Sequence, residues 1–112
     1  MNRIIYAYRN ASPDILHINN GEEEILNVHT DELADCLSLR LDIKTSQTDT
    51  GAAITTKTIS NPVGNLHTFT LTIEDTLYSI SEAWCVIAAY YEGASPELDN
   101  VDPLYIATVK IG

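Results

Sequence analysis

One run of residues constrains the fold more than anything else in the chain. In Cys36-Leu37-Ser38-Leu39-Arg40-Leu41-Asp42-Ile43-Lys44 every odd position is Leu or Ile, while Ser38, Arg40, Asp42 and Lys44 hold the other face. Side chains alternate across a strand, so a period of two predicts a half-buried strand and excludes an amphipathic helix. The stretch Asn65 to Ile73 repeats the pattern, with His67, Phe69, Leu71 and Ile73 on one face and Thr68, Thr70 and Thr72 on the other. Between them, Ala52 to Ser60 is a Thr-rich strand of weaker phase. No segment sustains a 3.6-residue period, so little helix is expected.

Trp84 to Tyr91 is apolar on both parities, the pattern of a central strand covered on two sides. Leu104 to Ile111 is a further strand, and Arg3 to Tyr8, Ile15 to Ile18 and Glu24 to Val28 are shorter ones. Asn19-Asn20-Gly21 suits a tight hairpin turn, because Asn and Gly tolerate positive φ. Asp49-Thr50-Gly51, Asn61-Pro62-Val63-Gly64 and Gly93-Ala94-Ser95-Pro96 mark three more turns, and Glu74 to Leu77 one helical turn. Seven or eight short strands with turns about every ten residues predict an all-β protein, an antiparallel β-sandwich. Residues 1–14 are read as an N-terminal arm or edge strand, and residues 15–112 as the sandwich domain.

Charge narrows the partners. Sixteen acids against six Lys and Arg give a formal charge of −10, and no Lys or Arg occurs from residue 58 to residue 109. Phosphate contacts need clustered cations, so nucleic acid and anionic membrane are not expected as partners. The apolar stretch after Arg3 is shorter than a signal peptide requires, and no run approaches the roughly 18 residues of a membrane helix. The expected setting is therefore a cytoplasm, where Cys36 and Cys85 are reduced and act as small hydrophobes.

Few residues carry chemistry. His17, His29 and His67 lack zinc spacing, and the cysteines lie 49 residues apart. His67 shares its strand face with Phe69 and Leu71 and reads as a buried or rim histidine. His29 stands beside Asp31 and Glu32 in an expected loop, but without a nucleophile and oxyanion donors this is surface polarity. Glu22-Glu23-Glu24 reads as a solvated acidic turn. Asp99-Asn100-Val101-Asp102 offers alternating oxygens on an expected loop, a partial calcium set lacking the glycine and distal glutamate of an EF-hand. No phosphate-binding loop or nucleophile elbow occurs, so no enzyme, no cofactor and no metal are expected. Trp84 is expected in the core. Tyr90 and Tyr91, as adjacent strand residues, must face opposite ways, which leaves at least one exposed.

The order of motifs adds a resemblance. Asp31-Glu32-Leu33-Ala34-Asp35 leads into the alternating strand, and Thr50-Gly51 turns into the Thr-rich one. Then come Gly64 and His67-Thr68-Phe69-Thr70-Leu71-Thr72, the Glu74-Asp75-Thr76 turn and a strand ending in tyrosines. Across residues 15–112 this succession resembles the small immunoglobulin-like β-sandwiches of tailed-phage virions, such as the N-terminal domain of baseplate upper proteins. It departs from antibody domains, since Trp84 directly precedes Cys85. The resemblance implies a structural virion protein made in the host cytoplasm, a capsid decoration or cement protein. Its partner would be the major capsid protein or another virion protein, and it would act as a homo-oligomer. A tail, neck or baseplate adaptor, or a carbohydrate- or receptor-binding module, is the alternative. The residues expected at the partner surface are Ile4, Ile5, Tyr6 and Tyr8 of the arm, with Tyr90 and Tyr91.

Overall fold

The alternating runs lie where their period places them. The computed structural model describes residues 1–8, 14–45, 53–92 and 100–112. Eight strands form: β1 (Asn2–Tyr6), β2 (Asp14–Ile18), β3 (Glu24–His29), β4 (Cys36–Lys44), β5 (Thr55–Ser60), β6 (Leu66–Leu71), β7 (Glu82–Tyr91) and β8 (Asn100–Ile111). The described residues contain no helix. The strands make two packed sheets, one of three in the order β1-β3-β6 and one of five in the order β2-β8-β7-β4-β5.

The core fills the space between the sheets. Leu26 and Val28 of β3, Phe69 and Leu71 of β6, Leu39, Leu41 and Ile43 of β4, and Cys85, Ile87 and Ala89 of β7 all turn inward and are buried. Each large aliphatic side chain so buried contributes about 1.5–3 kcal/mol relative to leaving it in water. Tyr78 closes the core at one end, its hydroxyl within 3.2 Å of the Thr55 hydroxyl.

Several expectations need correction. The ladder is not wholly antiparallel, because β1 runs parallel to β3 and β2 parallel to β8. Asn19-Asn20-Gly21 does turn tightly, with Gly21 at φ 75°, but it carries the chain from one sheet to the other rather than closing a hairpin. A bulge between Cys36 and Ser38 shifts the phase of β4, so Cys36 is buried and Leu37 is 42% exposed. Ile73 leaves the inward face because β6 ends at Leu71. There the chain bends: the Asp75 carboxylate accepts from the Thr72 backbone N–H, and the Thr72 hydroxyl oxygen accepts from the Asp75 N–H. This reciprocal pair is the logic of a helix capping box applied to a single turn.

Strand β8 begins at Asn100, before the expected Leu104, and so includes Pro103. Proline fits because the described residues of β2 pair with Ala107 to Ile111, so none of them asks Pro103 for an N–H, and it sits at a register shift opposite Ala88. Asp49-Thr50-Gly51, Ala52, Gly93-Ala94-Ser95-Pro96, Asp99 and the Arg9-to-Pro13 part of the arm lie outside the described residues.

Candidate interaction surface

The six residues expected at a partner surface fall in four different places. On β1, Ile5 and Ala7 turn inward, and Ile5 is only 3% exposed, so it serves the core rather than a partner. Ile4, Tyr6 and Tyr8 take the opposite parity and are exposed on the outer face of the three-stranded sheet. Tyr6 stacks on Tyr8 with ring centroids 6.4 Å apart, and on His29 at 5.3 Å. His29 is the last residue of β3, not a loop residue, and the register sets it between Tyr6 and Leu66. The result is a row, Tyr6-His29-Leu66, with Ile4-Asn27-Thr68 beside it. The outward positions of this sheet (Asn2, Ile4, Tyr6, Tyr8, Ile25, Asn27, His29, Leu66, Thr68 and Thr70) include no Asp, Glu, Lys or Arg. On a chain of charge −10 this is an uncharged face carrying aromatic and aliphatic side chains.

Beneath that face an ion pair joins β1 to β3, and sequence reasoning misread it. Glu24 is fully buried at the start of β3, not solvated. Its carboxylate accepts from Arg3 Nε of β1 at 3.2 Å and from the Asn19 backbone N–H at 3.0 Å. The acidic triplet hides this, because only the third glutamate lies in the strand and its partner lies 21 residues away.

Tyr90 and Tyr91 diverge as strand geometry requires. Tyr90 lies on the outer face of the five-stranded sheet, with the Arg40 guanidinium 4.6 Å from its ring centroid. Arg40 Nε also donates to Asp42 Oδ2 at 3.0 Å, and Thr56 Oγ1 donates to Asp42 Oδ1 at 2.7 Å. Burial pushes the Tyr90 hydroxyl pKa above its ordinary value, with nearby Arg40 pulling the other way. Trp84 shares this outward parity and is half-buried, not in the core, since Ala83, Cys85 and Ile87 take the inward positions. Tyr91 packs partly against the core at one end of the sandwich. It separates two hollows there, of about 240 Å³ and 450 Å³. Tyr8, Leu33 and Leu104 line the smaller together with Asp31, Glu32 and Asp102, while Asp35, Leu37 and Glu92 line the larger.

His67 is buried with Nε2 3.1 Å from the Thr30 hydroxyl, and burial pushes its pKa below the usual value. Asn100, Val101 and Asp102 belong to β8 rather than to a loop, which removes the geometry assumed for calcium. Among the described residues no three His, Cys, Asp or Glu side chains converge as a metal site needs. Cys36 and Cys85 are free and buried. Cys36 faces Tyr91 and Cys85 faces Ile43, so the two cysteines stand six residues apart along β7, about 20 Å of strand and beyond disulfide reach. No helix among the described residues is long and apolar enough to cross a membrane. No protein-family model matches the chain, and no curated protein is similar to it.

Proposed function

We propose that the chain is a non-enzymatic structural protein that docks, through the outer face of its three-stranded sheet, on the outer surface of a phage capsid. The observation that carries the docking reading is the uncharged Ile4-Tyr6-Tyr8-His29-Leu66 face on an otherwise strongly acidic molecule. Aromatic side chains bury large area at low entropy cost, and charge is depleted at interface centres. The acids elsewhere keep the remainder solvated and disfavour a place against packaged DNA. The virion setting comes from the sequence resemblance, and two packed sheets are what that resemblance implies. We read β4, β7 and β8 of one sheet as C-F-G and β3 and β6 of the other as B-E of an immunoglobulin-like fold. Strand β1, parallel to β3, is an addition to it.

The test is recovery. Antibody against the protein should detect it on gradient-purified particles of the virus whose genome encodes it. A Tyr6→Ser/Leu66→Ser variant, folded by circular dichroism, should fail to bind particles stripped of the protein. Absence from particles, or unchanged binding by the variant, overturns the proposal. The alternative of a tail, neck or baseplate adaptor predicts recovery with tails instead of capsids. The hollow beside Tyr8 and Tyr91, with Asp31, Glu32 and Asp102 on its walls, favours a second reading, a carbohydrate- or receptor-binding module. Glycan-array signal abolished by Tyr91→Ala would support it, and an array without hits would remove it.

A further inference from the structure

A different face of the molecule has the opposite electrostatic character. On the outer face of the five-stranded sheet, register aligns successive rows across β2, β8, β7 and β4: Ile15-Thr108-Trp84-Lys44, then Ile106-Val86-Asp42, then Pro103-Ala88-Arg40, then Val101-Tyr90-Ser38. Ile15, Val101 and Ile106 are exposed there, and Trp84, Val86 and Tyr90 are half-buried, so an apolar band follows β7 and β8. Lys110, Lys44 and Arg40 also lie on this face, three of the chain's six cations. Against them stand two of its sixteen acids, Asp42 and Glu82. Asp42 is engaged by Arg40 and Glu82 by Lys110, which leaves Lys44, beside Trp84, as the surplus charge.

The complement of this band is present on the same molecule. Exposed acids gather at both ends of the sandwich, and at one of them they line two hollows. Glu22, Glu23 and Glu74 stand on exposed turns at the end where β3 begins. At the other end Asp31, Glu32, Asp35, Glu92 and Asp102 line the two hollows together with Leu33, Leu104, Leu37 and Tyr91, and the described lining residues include no Lys or Arg. We propose that copies of this chain associate head to tail, the cation-bordered aromatic face of the five-stranded sheet in one copy seated on the acidic, hollowed end of the next. The contact is heterologous, so it uses two different patches and forms a ring if the rotation closes or a filament if it does not. It touches the uncharged face of the three-stranded sheet only at its border, through Tyr8, and leaves Ile4, Tyr6, His29 and Leu66 free, so it does not depend on the docking function proposed above.

Complementation separates this arrangement from any face-to-face dimer. Lys44→Glu spoils the face and spares the end; Asp31→Lys/Glu32→Lys spoils the end and spares the face. In sedimentation velocity at about 20 and 500 μM, the span over which a contact of about 100 μM Kd fills, wild type should grow heavier with concentration. Each variant should stay monomeric at both concentrations with an unchanged circular dichroism spectrum. An equimolar mixture of Lys44→Ser and Asp31→Ser/Glu32→Ser should form dimers and nothing larger, because it contains one sound face for one sound end and no charge-swapped pair. Should a charge reversal disturb folding, Lys44→Ser and Asp31→Ser/Glu32→Ser replace it. Wild type that is monomeric throughout, a folded variant that still associates, or a mixture that stays monomeric overturns the proposal.

Discussion

Replacing Arg3 by Met tests the buried ion pair most directly. The Met side chain keeps the apolar stem that lies along the sheet edge but removes the guanidinium, leaving the Glu24 carboxylate with the Asn19 N–H as its remaining donor. Stripping one partner from a buried pair costs about 3–5 kcal/mol, since the other charge is stranded out of water. Glu24 has 0% side-chain exposure, so that cost applies at its end, but Arg3 is 23% exposed and water can take part of its place. A loss of about 2–3 kcal/mol is therefore expected. With a urea m-value of about 1.5 kcal/mol/M for a domain of this size, the unfolding midpoint should fall by about 1.3–2 M. Glu24→Gln alone keeps an acceptor for Asn19 and should cost less. In the Glu24→Gln background Arg3→Met should cost little, giving a coupling energy near 2 kcal/mol. A midpoint shift below about 0.4 M, or additivity of the two changes within about 0.5 kcal/mol, would refute the reasoning.

Three further outcomes follow from titratable groups. The pKa of His67 is lowered in the folded state by burial, so its stability contribution is present above the unfolded pKa of about 6.5 and is lost as pH falls below it. His67→Gln should flatten that part of the stability curve between pH 7.5 and 5, and an equal slope in both proteins counts against the assignment. The pKa of Asp75 is lowered, chiefly by its bond from Lys57 and then by the Thr72 N–H, so its contribution is full above about pH 4 and lost on acidification. Asp75→Asn should cost about 1 kcal/mol at pH 7, as losing a cap does, and the difference should vanish below pH 3 in urea titrations. Burial pushes the Cys85 thiol up to about 12, so in a Cys36→Ser protein at pH 8 an aromatic disulfide reagent should label it only at the rate of global unfolding; fast labelling of that native protein would contradict its placement.

How much of this was legible depends on the range over which each feature is encoded. The inward faces of β4 and β6 are local, since alternation alone separates Leu39, Leu41 and Ile43 from Arg40 and Asp42, and His67, Phe69 and Leu71 from their threonines. The bulge that turns Leu37 outward leaves no mark in that alternation. Asn19-Asn20-Gly21 announces a turn, yet which sheet each flanking strand joins is decided by partners far along the chain, β8 for β2 and β6 for β3. Trp84 was misplaced because an apolar run on both parities fits a strand covered on both sides equally well. Here the second side is the outer face of the sheet, and its Trp84, Val86 and Tyr90 form a surface. The Tyr6-His29-Leu66 row was only half visible: the arm's apolar residues stood out, but their neighbours come from strands 23 and 60 residues away.

The pairing of β2 with β8 sets a schedule for the newborn chain. Ile18 lies in the first sixth of the sequence, yet its carbonyl accepts from the Gly112 N–H, and the Asn20 N–H donates back to the Gly112 carbonyl. During synthesis, β2 must wait beside the ribosome through some eighty residues before its partner strand emerges. Meanwhile β7 presents an open edge to its surroundings, a template for pairing with other chains. Nonlocal strand pairing of this kind folds slowly. The acids that dominate residues 58–109 then have a second use, keeping half-made copies apart until β8 arrives and closes that edge.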